Sequence, residues 1–410
     1  METLASDPAT LGVNSWAFGL LGVLGIVLAR TLTGAGRRVA LLACNLAFLA
    51  FFVLRAQEAA VLAGFVGATW GLARWKAARA DRLPAALMGV VSVALWTFLF
   101  LVRDPELLGA ANPFHHLPVR LVGVSYLVFR SISYVNEVEL VEDRSLLGYV
   151  NYLLFFPTLL SGPIERWRRH SQMETGDLRP DDDGPGVVLP ALHRIANGLI
   201  LKFVLADNLW SLGIAGLQDL ETVATPLLWF GLLFQFVLLY LDFAGYCHIV
   251  LGLAALMGFP IVENFDRPFL AANMQEFWER WHISLSAMVR DYVFTPLSKV
   301  VIMRAPRTSQ FALITGIYFF STVLIGVWHD TTLGFLLFGV LHGAALVAYQ
   351  LKKKNKKRWK ALTPFKGPTG ERLGRWLAVG STYVFLSFTM LPWILPTDRW
   401  MPVLRGLLPW

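Results

Sequence analysis

Two cysteines, Cys44 and Cys247, are all that 410 residues contain, and both fall inside apolar runs. That shortage excludes a disulfide framework and cysteine-based metal spacings, and it gives a reactive thiol no electropositive setting. Charge is scarce as well. Asp, Glu, Lys and Arg make up 16% of the chain, well under the roughly 25% of soluble domains. No internal repeat and no inverted pair of matching halves is visible, which counts against the transporters built that way. No serine stands in a nucleophile-elbow pattern, so a covalent serine intermediate has no candidate. The first ten residues carry Glu2 and Asp7 but no Lys or Arg. They lack a signal-peptide n-region, and the first apolar span is expected to be a retained helix with its N-terminus outside.

What the chain has in quantity is apolar surface: 56% hydrophobic residues, with 29 Phe and 15 Trp. Uncharged runs from Pro8 to Ala29, Leu83 to Val102, Thr222 to Leu241, Ser309 to Trp328, Thr331 to Leu351 and Trp376 to Thr397 have the length of about 20 residues that a bilayer core demands. Shorter runs lie at 39–54, 59–73, 119–129, 146–164 and 195–206. Adding these, and dividing the apolar region from Thr222 to Val262 in two, predicts about 11 transmembrane or re-entrant helices. The fold class is therefore all-α: one polytopic integral membrane domain over residues 1–410, embedded in lipid.

The net charge of +8 follows the positive-inside rule rather than pointing to nucleic acid. Arg30, Arg37 and Arg38 follow the first span, and Arg74, Lys76, Arg79 and Arg82 follow the third. The run KKKNKKRWK, 352–360, is a cytoplasmic anchor in its plain reading and a dock for an acidic partner or anionic lipid in its sharper one. Residues 165–186 read as a solvated loop. Its triplet Asp181, Asp182, Asp183 does not preset a metal geometry, and His115 and His116 lack further ligands. No metal site is expected.

The stretch GVWHD, 326–330, sets a histidine and an aspartate at the end of an uncharged span. Ionisable groups at membrane depth are costly and are functional candidates by default. A second stretch, NMQEFWERWHISLSAMVRDYVFTPL, 273–297, reads as one amphipathic helix. Trp281, Leu285, Met288 and Tyr292 form its apolar face, and Glu279, His282, Ser286 and Arg290 lie on another. Asn273 with Glu276 supplies the start signal. Arg290 and Asp291 read first as an ion pair. Asp242 and Tyr246, four apart, can meet on one helix face, either as packing glue or as tunnel lining. His342, between Gly339 and Gly343, reads as structural in a small-residue packing motif.

Three stretches together resemble the membrane-bound O-acyltransferase family: FFPTLLSGPIERW (155–167), residues 240–294 with NFDRPF, FWERWHISLS and RDYVF in order, and IGVWHDTTLGFLLFGVLHG (325–343). The likeness is to its bacterial branch of D-alanyl transferases of teichoic acid (DltB type) and alginate O-acetyltransferases (AlgI type), with 118–350 as the catalytic core. The resemblance implies a helical ring around a thinned centre, with His329 and His282 as the catalytic pair. Trp281, Trp328, Ser286, Arg290, Asp242 and Tyr246 would contact substrate. It implies a small acyl group, D-alanyl or acetyl, and no tightly bound cofactor. The thioester donor would be acyl-CoA or a phosphopantetheine-linked acyl carrier protein arriving from the cytoplasmic side. The acceptor would be a cell-envelope polymer or a partner protein beyond a bacterial plasma membrane. These members usually carry Gly after the catalytic histidine, where this chain has Asp330. A rival class is a transporter or flippase using His282, His329 and Arg290 as a proton or anion pathway. A non-catalytic scaffold is the third.

Overall fold

The computed structural model describes residues 15–52, 55–79, 86–115, 123–176, 185–362, 364 and 367–408. Arg82, His116 and the acidic triplet lie outside them. Among the described residues the chain is helical, and its one isolated β-bridge joins Phe265 to Trp281. It divides into two compact units, Met1–Leu199 with Tyr246–Val262, and Ile200–Gly245 with Glu263–Trp410.

The first unit begins with a helical hairpin, α1 (Trp16–Thr31) and α2 (Gly34–Ala50), followed by α3 (Ala56–Ala77), α4 (Ala86–Arg103), α5 (Val124–Glu137), α6 (Leu146–Leu153), α7 (Trp167–Thr175) and α8 (Pro185–Leu199). α8 runs on through a π-helical stretch, Ile200–Ala206, into the short α9 (Asp207–Leu209) of the second unit. α10 (Thr225–Leu256) starts in the second unit and ends in the first. Two of the three arginines after the first span, Arg30 and Arg37, meet the chain where α10 ends. Arg30 Nε donates to Leu256 O at 2.7 Å, and Arg37 Nη2 donates to Met257 O at 3.1 Å with its guanidinium over the Phe259 ring. Cations suit the carbonyls at a helix C-terminus, where the partial charge is negative.

Arg130 on α5 is 1% exposed and organises the FFPTLLSGP segment. Its Nη1 donates to Tyr152 O and Leu153 O, and its Nη2 donates to Thr158 O and Thr158 Oγ1, at 2.6–3.2 Å. Gly162 closes that segment at φ 105°, where a Cβ would meet Tyr246 and Val250 side chains at 3.2–3.3 Å. Behind it, Arg38 pairs with Asp143 and Glu174, and Asn151 donates to Glu174 Oε1 at 2.7 Å. Burial pushes the Glu174 carboxyl up to about 6, partly offset by the Asn151 amide and the Arg38 charge. Burial raises Glu165 to about 6 as well, against the pull of the Arg166 amide and the Arg169 charge.

α10, which runs from the second unit into the first, is one 32-residue helix where two had been expected. Its mid-helix Asp242 is neutralised by Lys202 of the π-helical stretch, so no break is needed to hydrate the charge. After it come α11 (Met274–Arg280), α12 (Ile283–Val289), a π-helical Arg290–Phe294, α13 (Thr295–Arg304), α14 (Arg307–His329), α15 (Leu333–Lys354), α16 (Lys356–Leu362), α17 (Gly367–Ile394) and α18 (Trp400–Leu407). Against about eleven crossings or re-entrant segments expected from apolar run lengths, five described helices are long and apolar enough to cross a bilayer: Gly186–Leu212, Thr225–Leu256, Arg307–His329, Leu333–Lys354 and Gly367–Ile394. Trp16–Thr31, Gly89–Arg103 and Leu146–Thr158 are apolar but shorter.

α14 and α15 form the tightest hairpin of the second unit. A Cβ at Gly339 would lie 2.8 Å from Thr322 O, one at Gly343 would lie 2.6 Å from Thr322 Oγ1, and one at Gly326 would run into Phe335 O. Small residues let two membrane helices approach this closely. The approach fixes His329, the last residue of α14, against the first turns of α15.

Candidate active site

The predicted amphipathic helix over 273–297 is broken at His282. Its start is as expected, with Asn273 Oδ1 accepting from Glu276 N at 3.0 Å and Glu276 Oε2 accepting from Ala272 N at 3.1 Å. α11 then ends at Arg280, and His282 sits in the left-handed region at φ 45° before α12 begins. A non-glycine residue there costs on the order of 1–3 kcal/mol and persists only where its surroundings impose it. The surroundings are the NFD of NFDRPF. Asn264 O accepts from Ile283 N at 3.0 Å, and Asp266 N donates to Arg280 O at 3.0 Å. Asn264 Oδ1 takes the Ser284 N–H at 3.2 Å and the Ser284 hydroxyl at 2.7 Å, with His282 Nδ1 at 3.3 Å.

That contact assigns the tautomer of His282. Asn264 Oδ1 is an acceptor, so Nδ1 carries the hydrogen and Nε2 keeps its lone pair. His282 is 3% exposed, with Phe243 edge-on at 4.9 Å between centroids and Trp328 at 6.3 Å. Burial holds its imidazole far below the usual histidine range, to about 3, and the charge of His329 pushes the same way. His282 is therefore a neutral hydrogen-bond acceptor near pH 7.

His329 differs in being exposed. Its ring lies 4.6 Å from Trp328 and stacks on Phe335 at 5.5 Å. Trp328, 5% exposed, contacts both imidazoles and forms the wall between them. Asp330 serves the turn: its backbone is extended, and its carboxylate accepts from Thr332 N at 3.1 Å just ahead of α15.

The remaining candidates divide. Trp281 stacks on Phe277 and packs edge-on against Phe265, building the aromatic wall behind His282. Ser286 N donates to His282 O at 3.0 Å, and Ser286 Oγ is buried without a hydrogen-bond partner among the described residues. Arg290 is 63% exposed in its side chain and pairs with Asp291 at 2.8 Å, as the ion-pair reading had it. Asp242 and Tyr246 engage different groups: Asp242 takes Lys202, whereas Tyr246 belongs to the first unit and lines Gly162. Asn264 and Lys202 were not singled out from sequence. The NFDRPF motif was the available signal for Asn264; Lys202 has none, because its partner is 40 residues away. No cluster of three or more His, Cys, Asp or Glu that could hold a metal occurs among the described residues.

Comparison with known proteins bears on this site. The model of the membrane-bound O-acyltransferase family matches residues 90–356, which contain both histidines. The teichoic acid D-alanyltransferase of Bacillus subtilis (strain 168) is 30% identical over 302 residues, covering 71% of this chain and 73% of the relative. That of Streptococcus thermophilus is 32% identical over 261 residues, covering 59% and 61%. The probable alginate O-acetylase AlgI of Pseudomonas syringae pv. tomato is 32% identical over 226 residues, covering 54% of this chain and 41% of the relative.

Proposed function

The chain belongs to the membrane-bound O-acyltransferase family and is an acyltransferase, and we propose that it moves D-alanyl or acetyl from a thioester to a hydroxyl of an envelope polymer. The observation that carries this reading is the pairing of an exposed His329 with a buried, neutral His282 across Trp328.

In this reading His329 takes the proton of the acceptor hydroxyl as its oxygen attacks the thioester carbonyl. The carbonyl electron pair moves onto oxygen, and a tetrahedral oxyanion forms. Its collapse breaks the C–S bond, and the departing thiolate takes the proton from the His329 imidazolium. A positioned general base contributes roughly 10²–10⁴ in rate. His282, with its hydrogen turned to Asn264, has only a lone pair to offer and holds a hydroxyl hydrogen of the acceptor. The Ser286 hydroxyl, one turn on, is a donor for the oxyanion, a role whose loss costs about 10²–10³. Direct transfer needs no acyl-enzyme.

The donor is acyl-CoA or an acyl carrier protein on the cytoplasmic side of a bacterial plasma membrane, and the acceptor lies on the other. No tightly bound cofactor enters the scheme. The basic end of α15 suits an acidic carrier: Lys354 Nζ lies 4.1 Å over the Phe311 ring and Lys352 Nζ lies 5.9 Å over Trp359.

The test is acyl transfer by purified protein in lipid, with radiolabelled D-alanyl and acetyl thioesters of CoA and of carrier protein. Wild type should transfer and His329→Ala should lose about 10²–10⁴ in rate. Equal activity in both would remove His329 from the chemistry. Reversing the charges of 352–360 should raise the KM for carrier-linked donors; an unchanged KM and kcat would remove the docking role.

A further inference from the structure

A histidine that takes a proton becomes a cation, and the structure shows which groups face the ring of His329. Phe335, in the first turn of α15, lies nearly parallel to it, with 17° between the planes and 5.5 Å between centroids. Phe335 also stacks on Trp393 of α17, at 26° and 5.2 Å. Phe338 stands edge-on to both His329 and Trp393, at 87° and 78°. His329, Phe335 and Trp393 thus form a series of near-parallel rings, with Phe335 the member they share.

Backbone contacts from two helices hold Phe335 in that series. On the α14 side, a Cβ at Gly326 would run into Phe335 O. On the α17 side, a Cβ at Gly334 would run into Pro392 O and would lie 3.0 Å from Trp393 Cα. Glycine at both places lets three helices meet backbone to backbone around one phenyl ring. The carboxylate next to His329 in the chain is engaged in the turn, where Asp330 accepts from Thr332 N at 3.1 Å.

An aromatic face carries the negative part of the ring quadrupole and attracts a cation within about 6 Å of the centroid. A neutral imidazole gains little from that face, and an imidazolium gains the full attraction. The contact therefore strengthens as the proton arrives, which is the condition for lowering a barrier rather than tightening binding. We infer that Phe335, stacked on Trp393, stabilises the His329 imidazolium by cation–π attraction while the acyl group is transferred. The inference rests on the acyl-transfer reading above, with His329 as the base. Phe335 and Trp393 are positioning residues in it, because both act through His329.

The experiment replaces Phe335 with mono-, di- and trifluorophenylalanine by nonsense suppression, then measures single-turnover acyl transfer in lipid and the donor KM. Fluorine withdraws charge from the ring face and leaves its shape almost unchanged. The transfer rate should fall with each added fluorine, by about fivefold at the trifluoro ring, while KM stays constant because the ground-state ring is neutral. Phe335→Tyr and Trp393→Phe, which keep an aromatic face, should retain more of the rate than Phe335→Leu and Trp393→Leu. A rate indifferent to fluorine, in an enzyme that still loses activity in His329→Ala, would overturn the inference and leave the acyl-transfer reading standing. A loss carried by KM would mean packing against substrate and would overturn it too. Wild type inactive on every thioester would instead overturn the acyl-transfer reading.

Discussion

Two segments of this chain are each organised by a single buried polar side chain, and they are organised to different ends. In the first unit, Arg130 gathers three backbone carbonyls and a hydroxyl, and the FFPTLLSGP segment wraps around it. All four contacts hold peptide groups or neighbouring side chains. In the second unit, Asn264 gathers donors from residues 282–284 on one oxygen and on its backbone carbonyl. The outcome there is a strained backbone and a histidine with a free lone pair. The lesson is that burial and hydrogen-bond number do not separate scaffold from site; what separates them is whether the arrangement leaves reactive valence behind.

The sharpest break of that comparison is on the scaffold side. Arg130→Met should remove every donor that Tyr152 O, Leu153 O and Thr158 O receive from the guanidinium. Leaving buried acceptors unpaired costs about 1–3 kcal/mol each, so the sum approaches the roughly 5–15 kcal/mol of a whole domain. Little monodisperse protein should survive detergent extraction and size-exclusion chromatography. A variant that extracts and melts like wild type would show that Arg130 is not the organiser.

On the site side the expected loss is smaller and falls on chemistry. Asn264→Ala frees the His282 ring to swing and to exchange tautomers, and a misplacement of about 1 Å can cost roughly 10²-fold in rate. The fold should survive, since only one loop loses its anchor. Asn264→Asp restores the acceptor and adds a charge that favours the imidazolium. It should recover much of the rate while moving the acidic limb of the pH–rate profile upward, because His282 serves as the neutral ring. A profile unmoved in Asn264→Asp would detach Asn264 from the tautomer of His282.

These expectations also mark how far the sequence could be read. The hairpin that carries His329 was legible because two uncharged runs flank a polar GVWHD and because glycines recur at helix-packing spacing. The α11 start was legible from Asn273 and Glu276, a purely local signal. The break at His282 was not, since apolar residues keep helical spacing straight through Trp281 and Leu285. It is imposed by Asn264, 18 residues upstream. The uninterrupted α10 escaped because the region from Thr222 to Val262 was divided by length alone, whereas it is one helix whose Asp242 is neutralised by Lys202, 40 residues away. Local pattern marked the histidines as polar positions, the family resemblance made them catalytic candidates, and long-range hydrogen bonds decide how His282 is presented.

The smallest effect should come from Glu174, which tests the scaffold without breaking it. Its Oε1 accepts from Asn151 and forms an ion pair with Arg38 at 3.4 Å, while its Oε2 is buried without a hydrogen-bond partner among the described residues. The folded carboxyl titrates near 6, above the 4.5 of a free glutamate. A raised carboxyl pKa means that the folded state holds the proton more tightly than the unfolded state does. The group's contribution is thus fully present below about pH 4.5 and is lost as pH rises through about 6. Glu174→Gln keeps Oε1 as an acceptor and removes the titration. Melting curves from pH 4.5 to 7 should therefore slope less steeply in the variant than in wild type, by on the order of 1–2 kcal/mol over the window. Parallel curves would mean that the Arg38 charge compensates burial in full and that this cluster does not respond to pH across the window.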